Sequence, residues 1–257
     1  MKDSEIQHLI DIVGEKGMLD EIGWPNGKNL FKIDPKMPYE EAEKLIDQNP
    51  DRAFLFSLSN VPFERREHIQ LAGLSQRLDT QYYLKNTTGT KNIAFLGASQ
   101  TVYYSDPLVG LYLKEINSQV ALKQVDVADL DKFPVAINSG TQWSNESLQR
   151  LHPQEWTPRP ASGIFTVICH KENISLRKQI AKLHFSESQV LGNIERRVEQ
   201  LMSAKSGILL LGTYCFIDAQ HNYQIYLVID RGNGLEHLST SQSTSHGLEE
   251  ALMAKLI

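Results

Sequence analysis

The order of the apolar segments from Gly163 onward constrains the fold most strongly. A strand-length run begins at Gly163, and two amphipathic helices are predicted after it, the second opening with the capping box Ser186-x-x-Gln189. Three further strand-length runs follow, separated by short polar turns: 208–217, 223–229 and 235–240. A final helix carries three leucines on one face: Leu248, Leu252 and Leu256. This order predicts an α+β region in which helices cover a three-stranded antiparallel sheet.

The first half of the sequence predicts a mixture of helices and strands. Helices are predicted over 4–13 and 38–49, where apolar side chains recur at helical spacing behind capping residues. Further predicted elements are a strand over 53–58, a strand over 93–96, a strand, acidic turn and strand over 120–137, and a helix over 145–151. Gly97-Ala98-Ser99 is predicted to open a helix, and a helix N-terminus can hold an anion with its free N–H groups.

Composition and charge exclude several classes of function. Apolar residues make up 41% of the chain and charged residues 22%, which is typical of a soluble globular protein. No apolar run approaches the roughly 20 residues that a membrane helix needs, so no membrane partner is expected. A net charge of −5 without a Lys/Arg cluster predicts no nucleic-acid partner. The polar, acidic start does not resemble a signal peptide, so a cytoplasmic location is expected.

The cysteines and histidines predict neither a disulfide framework nor a metal site. Cys169 and Cys215 lie in apolar, strand-like surroundings, where a cysteine is usually a small buried hydrophobe. Nothing cationic is placed beside them to make either thiol reactive. The histidines are scattered without the spacing of metal ligands, and we interpret them as surface or turn residues.

Several segments resemble the hydroxymethylbilane synthases, also called porphobilinogen deaminases. The Pro-rich segment 156–163 leads into a strand, a later helix carries Glu195-Arg196, and the following strand contains Gly212-x-Tyr214. Earlier in the chain, Phe56-Ser-Leu-Ser-Asn-Val-Pro62 follows an apolar run. The family has the same order of segments, and it has His-Ser-x-Lys-Asp-Val-Pro at the second place.

At the positions implied by this resemblance, the working groups of the family are replaced. The family's His, Lys and catalytic Asp correspond to three neutral residues: Phe56, Ser59 and Asn60. Its two substrate-binding arginines correspond to Val102 and Tyr103. The cysteine that carries the dipyrromethane cofactor falls at Ser206 or at Gly207, depending on the direction of counting. The sequence therefore predicts no catalytic residue of this family and no bound cofactor.

The resemblance also implies a domain organisation. It predicts two lobes like those of periplasmic binding proteins, followed by a C-terminal α+β domain. The first lobe would be truncated and comprise residues 1–86 with about 157–170, the second would comprise 87–156, and the third domain 171–257. Because the family's opening strand has no counterpart here, we expect an exposed sheet edge that the first helix, another copy or another protein covers.

Three hypotheses about function follow, in this order. The first is a non-catalytic relative of hydroxymethylbilane synthase that acts as a binding or assembly protein, linked to tetrapyrrole biosynthesis. The second is a small-molecule receptor or a divergent enzyme that reuses the cleft between the lobes, lined by Ser57, Asn60, Ser99 and Gln100. The third is an active porphobilinogen deaminase with displaced catalytic groups, in which Cys215 would have to anchor the cofactor.

Overall fold

The computed structural model describes residues 37–88, 93–97, 100–139 and 148–256, without the side chain of Phe95. The helix predicted over 4–13 lies outside this range. The described residues contain these α-helices: α1 Tyr39–Gln48, α2 Pro107–Ile116, α3 Ile174–Ile180, α4 Ser186–Ser203 and α5 Leu248–Met253. They contain these strands: β1 Ala53–Ser57, β2 Ile69–Leu74, β3 Tyr82–Asn86, β4 Thr101–Tyr104, β5 Ala121–Gln124, β6 Val135–Ser139, β7 Leu148–Arg150, β8 Phe165–His170, β9 Leu209–Ile217, β10 Tyr223–Asp230 and β11 Leu235–Gln242.

Contacts between residues divide the chain into two compact units. The first contains the described residues up to Leu78 together with Ala161–Asn193. The second contains Asp79–Pro160 together with the described residues from Ile194 onward. The chain thus passes from the first unit to the second, returns to the first, and passes again to the second.

The first unit is built on an antiparallel sheet in the order β1-β8-β2. Alternating residues of the central strand β8 point to opposite faces, so both faces of the sheet can be covered. Ile168 packs with Ile46 of α1 in one buried cluster, whereas Val167 packs with Leu176 and Ile180 of α3 in another. The strand predicted over 53–58 and the helix predicted over 38–49 are both confirmed to within a residue.

The second unit contains a mixed five-stranded sheet in the order β5-β4-β6-β3-β7. Strand β4 is parallel to β5 and β6, and β3 is antiparallel to its neighbours. Helix α2 covers this sheet with the fully buried side chains of Leu108, Tyr112 and Leu113. The Tyr112 ring packs edge-on against that of Trp156, with 5.6 Å between the ring centroids.

The same unit contains the C-terminal sheet, in the order β11-β10-β9. Its strands are antiparallel throughout, which confirms the predicted three-stranded sheet. The three leucines predicted to share a face of the last helix are all buried: Leu248, Leu252 and Leu256. Gly212 is required in β9 because a Cβ there would lie 2.6 Å from the carbonyl oxygen of Thr157. The fold is thus a mixed α/β arrangement with several sheets.

Three local predictions are wrong. Residues 93–95 form a short 3-10 helix rather than a strand. The predicted helix does not open at Gly97, because 101–104 pair as strand β4 and the helix begins at Pro107. The described part of the helix predicted over 145–151 is strand β7, where pairing with β3 overrides helix propensity. None of the helices in the described ranges is both long and apolar enough to cross a membrane.

Candidate functional site

The polar residues that follow β1 form a small neutral cluster. Residues Leu58–Asn60 make one 3-10 turn, which Leu58 anchors with a buried side chain and an N–H that donates to the Ile164 carbonyl at 2.7 Å. The hydroxyl oxygens of Ser57 and Ser59 lie 2.7 Å apart. Ser59 and Asn60 are exposed. This cluster can offer hydrogen bonds to a ligand, but it has no carboxylate that could stabilise a cation or act as a base near neutral pH.

The other residues predicted to line a cleft belong to the second unit. Gln100 is half-buried, and its side-chain oxygen accepts the N–H of Gly97 at 3.1 Å while its amide nitrogen donates to the Thr88 hydroxyl at 3.2 Å. Its side chain therefore links Gly97 to Thr88 through hydrogen bonds. Ser99 lies outside the described residues.

The turn between α4 and β9 lies where the resemblance requires the cofactor-bearing cysteine. Ser206 and Gly207 are both exposed in this turn, and Gly207 has a positive φ of 75°. Cys169 and Cys215 are fully buried, as predicted. Burial raises the pKa of the Cys169 thiol to about 11. Neither cysteine offers an accessible thiolate for covalent attachment.

The strand-to-helix turn of the second unit lies at Tyr104–Pro107 rather than at Gly97–Ser99. Asp106 caps α2: its Oδ1 accepts the Leu108 N–H at 2.9 Å and an Arg159 guanidinium N–H at 3.0 Å. Its Oδ2 accepts the hydroxyl proton of Tyr82 at 2.8 Å. A carboxylate of the protein thus occupies the positive end of this helix, so an external anion would be repelled there. The sequence signal for the turn was Asp106-Pro107 ahead of an apolar run.

Carboxylates and histidines come together at another place in the first unit. Asp47 of α1 accepts a hydrogen bond from Arg66 with one carboxylate oxygen and hydrogen-bonds His68 with the other. The rings of His68 and His170 lie 5.2 Å apart. Arg66 also lies 3.4 Å from a carboxylate oxygen of Glu43. Despite these contacts, the part of the chain that the structure describes contains no group of three ligating side chains arranged to hold a metal ion.

A groove of about 300 Å³ lies within the first unit, beside strand β2, and we call it the β2 groove. Its lining residues come from β2, from the segment after α3 and from α4: Leu71, Ala72, Gly73, Leu74, Ala181, His184, Gln189 and Asn193. None of these eight side chains carries a fixed charge. Its volume falls near the lower end of ligand pockets, which span roughly 300–1,000 Å³.

Hydrogen bonds determine the tautomer of His184 in this groove. The Leu74 N–H donates to Nδ1 at 3.1 Å, so Nδ1 is an acceptor and the proton of the neutral ring resides on Nε2. Nε2 then donates to the side-chain oxygen of Gln189 at 3.1 Å. The capping box predicts that Gln189 bonds the start of its own helix, and the scattered histidines, His184 among them, are interpreted from the sequence as surface or turn residues. The local sequence pattern does not predict this groove, because the Leu74–His184 bond at the groove joins residues 110 positions apart.

Comparisons with known proteins assign neither a family nor a function. No family model matches the sequence, and no curated protein sequence matches it. Among solved structures, YhfZ from Shigella flexneri is similar over 72% of this chain and 89% of that chain, with 9% sequence identity and a TM-score of 0.33. A likeness of this size supports no conclusion about function.

Proposed function

We propose that the protein is a non-catalytic relative of hydroxymethylbilane synthase that acts as a binding or assembly protein linked to tetrapyrrole biosynthesis. One observation carries the proposal. The positions where the resemblance expects an acid and a thiol, after β1 and between α4 and β9, instead present Asn60 and Ser206-Gly207 on exposed turns. Both places are accessible to a ligand and neither holds a group able to perform the family's reaction.

The physical argument is that several independent requirements fail together. The amide of Asn60 carries no negative charge, and losing preorganised charge of this kind typically costs about a hundredfold to a thousandfold in rate. Without a cysteine in the α4–β9 turn, the growing chain has no covalent anchor. Val102 is fully buried in β4, so no cationic side chain at that position can hold a substrate carboxylate. A single substitution therefore cannot restore the reaction.

We also propose the domain organisation that the resemblance implies, with two lobes like those of periplasmic binding proteins and a C-terminal α+β domain. In support of a first lobe made of two chain segments, the chain leaves the first unit after Leu78 and returns to it at Ala161. The small number of strands in the first unit, three in its described part, agrees with a truncated lobe. The predicted boundaries at 86 and 156 remain part of this proposal.

The alternative is a small-molecule receptor or an enzyme of another class. The hydroxyl pair of Ser57 and Ser59, with the exposed amide of Asn60 beside it in sequence, favours a neutral hydrogen-bonding ligand. A thermal-shift panel of pyrroles, porphyrins and small carboxylic acids tests it. A concentration-dependent rise in melting temperature that Asn60→Ala abolishes would support the receptor, and a flat response across the panel would leave it unsupported.

A turnover assay tests the main proposal. Purified wild-type protein and Asn60→Asp are incubated with porphobilinogen, with an authentic hydroxymethylbilane synthase as the positive control. We expect no consumption of porphobilinogen by either form, because Asn60→Asp restores only the carboxylate. Consumption of porphobilinogen by the wild type would refute the proposal and would support the hypothesis of an active deaminase. The full burial of Cys215 argues against such a deaminase.

A further inference from the structure

Among the residues that the structure describes, no strand pairs with the outer edge of β2, and the hydrogen-bond pattern identifies which residue faces that edge. The N–H of Lys171 donates to the carbonyl of His68 at 2.7 Å, so this pair is of the hydrogen-bonded type. Antiparallel pairs alternate between the two types. Gln70 is therefore bonded to Cys169 of β8, whereas Leu71, opposite Ile168, directs its N–H and C=O away from β8.

The opposite edge of β8 gives an independent check on this assignment. The N–H of Leu58 donates to the carbonyl of Ile164, and counting along the β1–β8 register from this pair makes Phe54 and Ile168 a hydrogen-bonded pair. Because the peptide groups of Ile168 face β1, they are not available to Leu71. The peptide groups of Leu71 thus point into the β2 groove, of which Leu71 is a lining residue.

The chain itself covers the next part of the same edge. The N–H of Leu74 donates to His184, and the carbonyl of Leu74 accepts the N–H of Phe185 at 2.9 Å. These two bonds are of the kind that an added strand would make, and they cover the edge of β2 at Leu74. A break in the β2–β8 register between Leu71 and Leu74 separates the covered part of the edge from the part that lines the groove.

The opposite wall of the groove is also made of neutral hydrogen-bonding groups. Gln189 and Asn193 are four residues apart on α4, so their exposed amides lie on the same helical face. Since the oxygen of Gln189 accepts from His184, its amide nitrogen remains a donor. Leu71 and Ala72 add apolar surface. A charged ligand would find no counter-charge among these residues, whereas a peptide unit would find both donors and acceptors.

We propose that the β2 groove binds a short, uncharged, extended peptide segment with small side chains. One residue of the segment pairs with the N–H and C=O of Leu71, and the neighbouring peptide groups meet the amides of Gln189 and Asn193. This is strand addition to a sheet edge, in which main-chain hydrogen bonds supply the affinity. This site rests on the proposed function only in that the protein binds a ligand rather than catalysing a reaction.

The test uses N-acetyl-alanyl-alanine methylamide as the probe and the full chain labelled with ¹⁵N. We expect titration to shift the Leu71 amide resonance along a saturable curve. The analogue with N-methylated peptide groups should bind at least about tenfold more weakly, because it cannot donate to the Leu71 carbonyl. Asn193→Trp places a large side chain at the groove and should abolish the shift. The matched control Gln200→Trp, at another exposed position of α4, should retain it.

Either of two results would overturn this inference. One is an absence of any Leu71 shift with the wild-type protein at millimolar probe, and the other is a shift that Asn193→Trp leaves intact. The spectrum of each variant shows independently whether it is folded. The two proposals can fail separately. Turnover of porphobilinogen without peptide binding would refute the proposed function and the peptide site. If the protein neither turns over porphobilinogen nor binds the peptide, only the peptide site is refuted.

Discussion

Cys169 illustrates how its surroundings set the chemistry of a single residue. It lies in the central strand β8, fully buried in the cluster that also contains Val167 and Leu176. Removal from water disfavours the thiolate and raises the pKa of the thiol from 9.0 to about 11, although Arg177 acts in the opposite direction. The residue is a packed hydrophobe rather than a nucleophile, as its sequence context predicted.

This pKa shift predicts an alkaline loss of stability. The folded state holds the thiol proton more tightly than the unfolded state, so the stabilisation is complete below about pH 9 and is lost as the pH rises towards about 11. We expect the free energy of unfolding to fall by about 2 kcal/mol or less over this window through Cys169. Urea denaturation of the wild type and Cys169→Ala at several pH values measures it. The wild type should show the steeper fall, and equal slopes would contradict this assignment.

Glu195 is a buried carboxylate with a structural role. Its Oε1 accepts the backbone N–H of Cys215 at 2.5 Å, and the side chain is fully buried. Glu195→Ala should lower the free energy of unfolding by roughly 1–3 kcal/mol, because a buried N–H of β9 loses its acceptor. Glu187→Ala, on the exposed first turn of the same helix, should change it by less than about 0.5 kcal/mol. Chemical denaturation compares the two, and equal losses would refute the role of Glu195.

At the scale of elements, the β4–α2 turn depends on Asp106. This side chain caps the helix, pairs with Arg159 and accepts the Tyr82 hydroxyl, and burial together with Asp106 raises the pKa of Tyr82. Asp106→Ala should therefore cost roughly 2–3 kcal/mol of unfolding free energy, the sum of a lost cap and an unpaired buried hydroxyl.

Asp126 provides the matched control for this prediction. It caps an exposed 3-10 helix through the Ala128 N–H at 3.0 Å. Asp126→Ala should cost about 1 kcal/mol or less. Thermal and urea unfolding of both variants measures the difference, and a loss at Asp126 as large as that at Asp106 would show that the buried network adds nothing to the cap.

The accuracy of sequence prediction differed between elements for physical reasons. The strands β9, β10 and β11 were predictable because β9 and β10 have long apolar patterns and short turns join all three strands, so pairing is local. Residues 93–107 were not predictable in this way. Strand β4 has only four residues and is stabilised by parallel pairing with β5 and β6, which come later in the chain.

The candidate sites differed in the same respect. The turn residues Ser206 and Gly207 and the cluster at Asn60 could be located by counting from neighbouring motifs. The β2 groove could not, because it depends on a hydrogen bond between Leu74 and His184 and on a register break in β2. Neither feature has a signature in the local sequence.

At the scale of the whole molecule, the proposed function depends on the absence of the groups that the resembled reaction needs. In the proposed correspondence Asn60 stands where the family has its acid, the α4–β9 turn contains no cysteine, and the two cysteines of the chain are buried. The two units instead expose neutral hydroxyl, amide and peptide groups. Neutral groups of this kind can hydrogen-bond a ligand, and the buried cysteines present no accessible thiol for a cofactor.

Intact-mass spectrometry of the protein isolated from cells that synthesise tetrapyrroles tests this central claim most directly. We expect the mass of the unmodified polypeptide for the wild type, and for Cys169→Ser and Cys215→Ser the same mass changed only by the substitution. An added mass equal to that of a dipyrromethane unit, present in the wild type and absent from either cysteine variant, would contradict it.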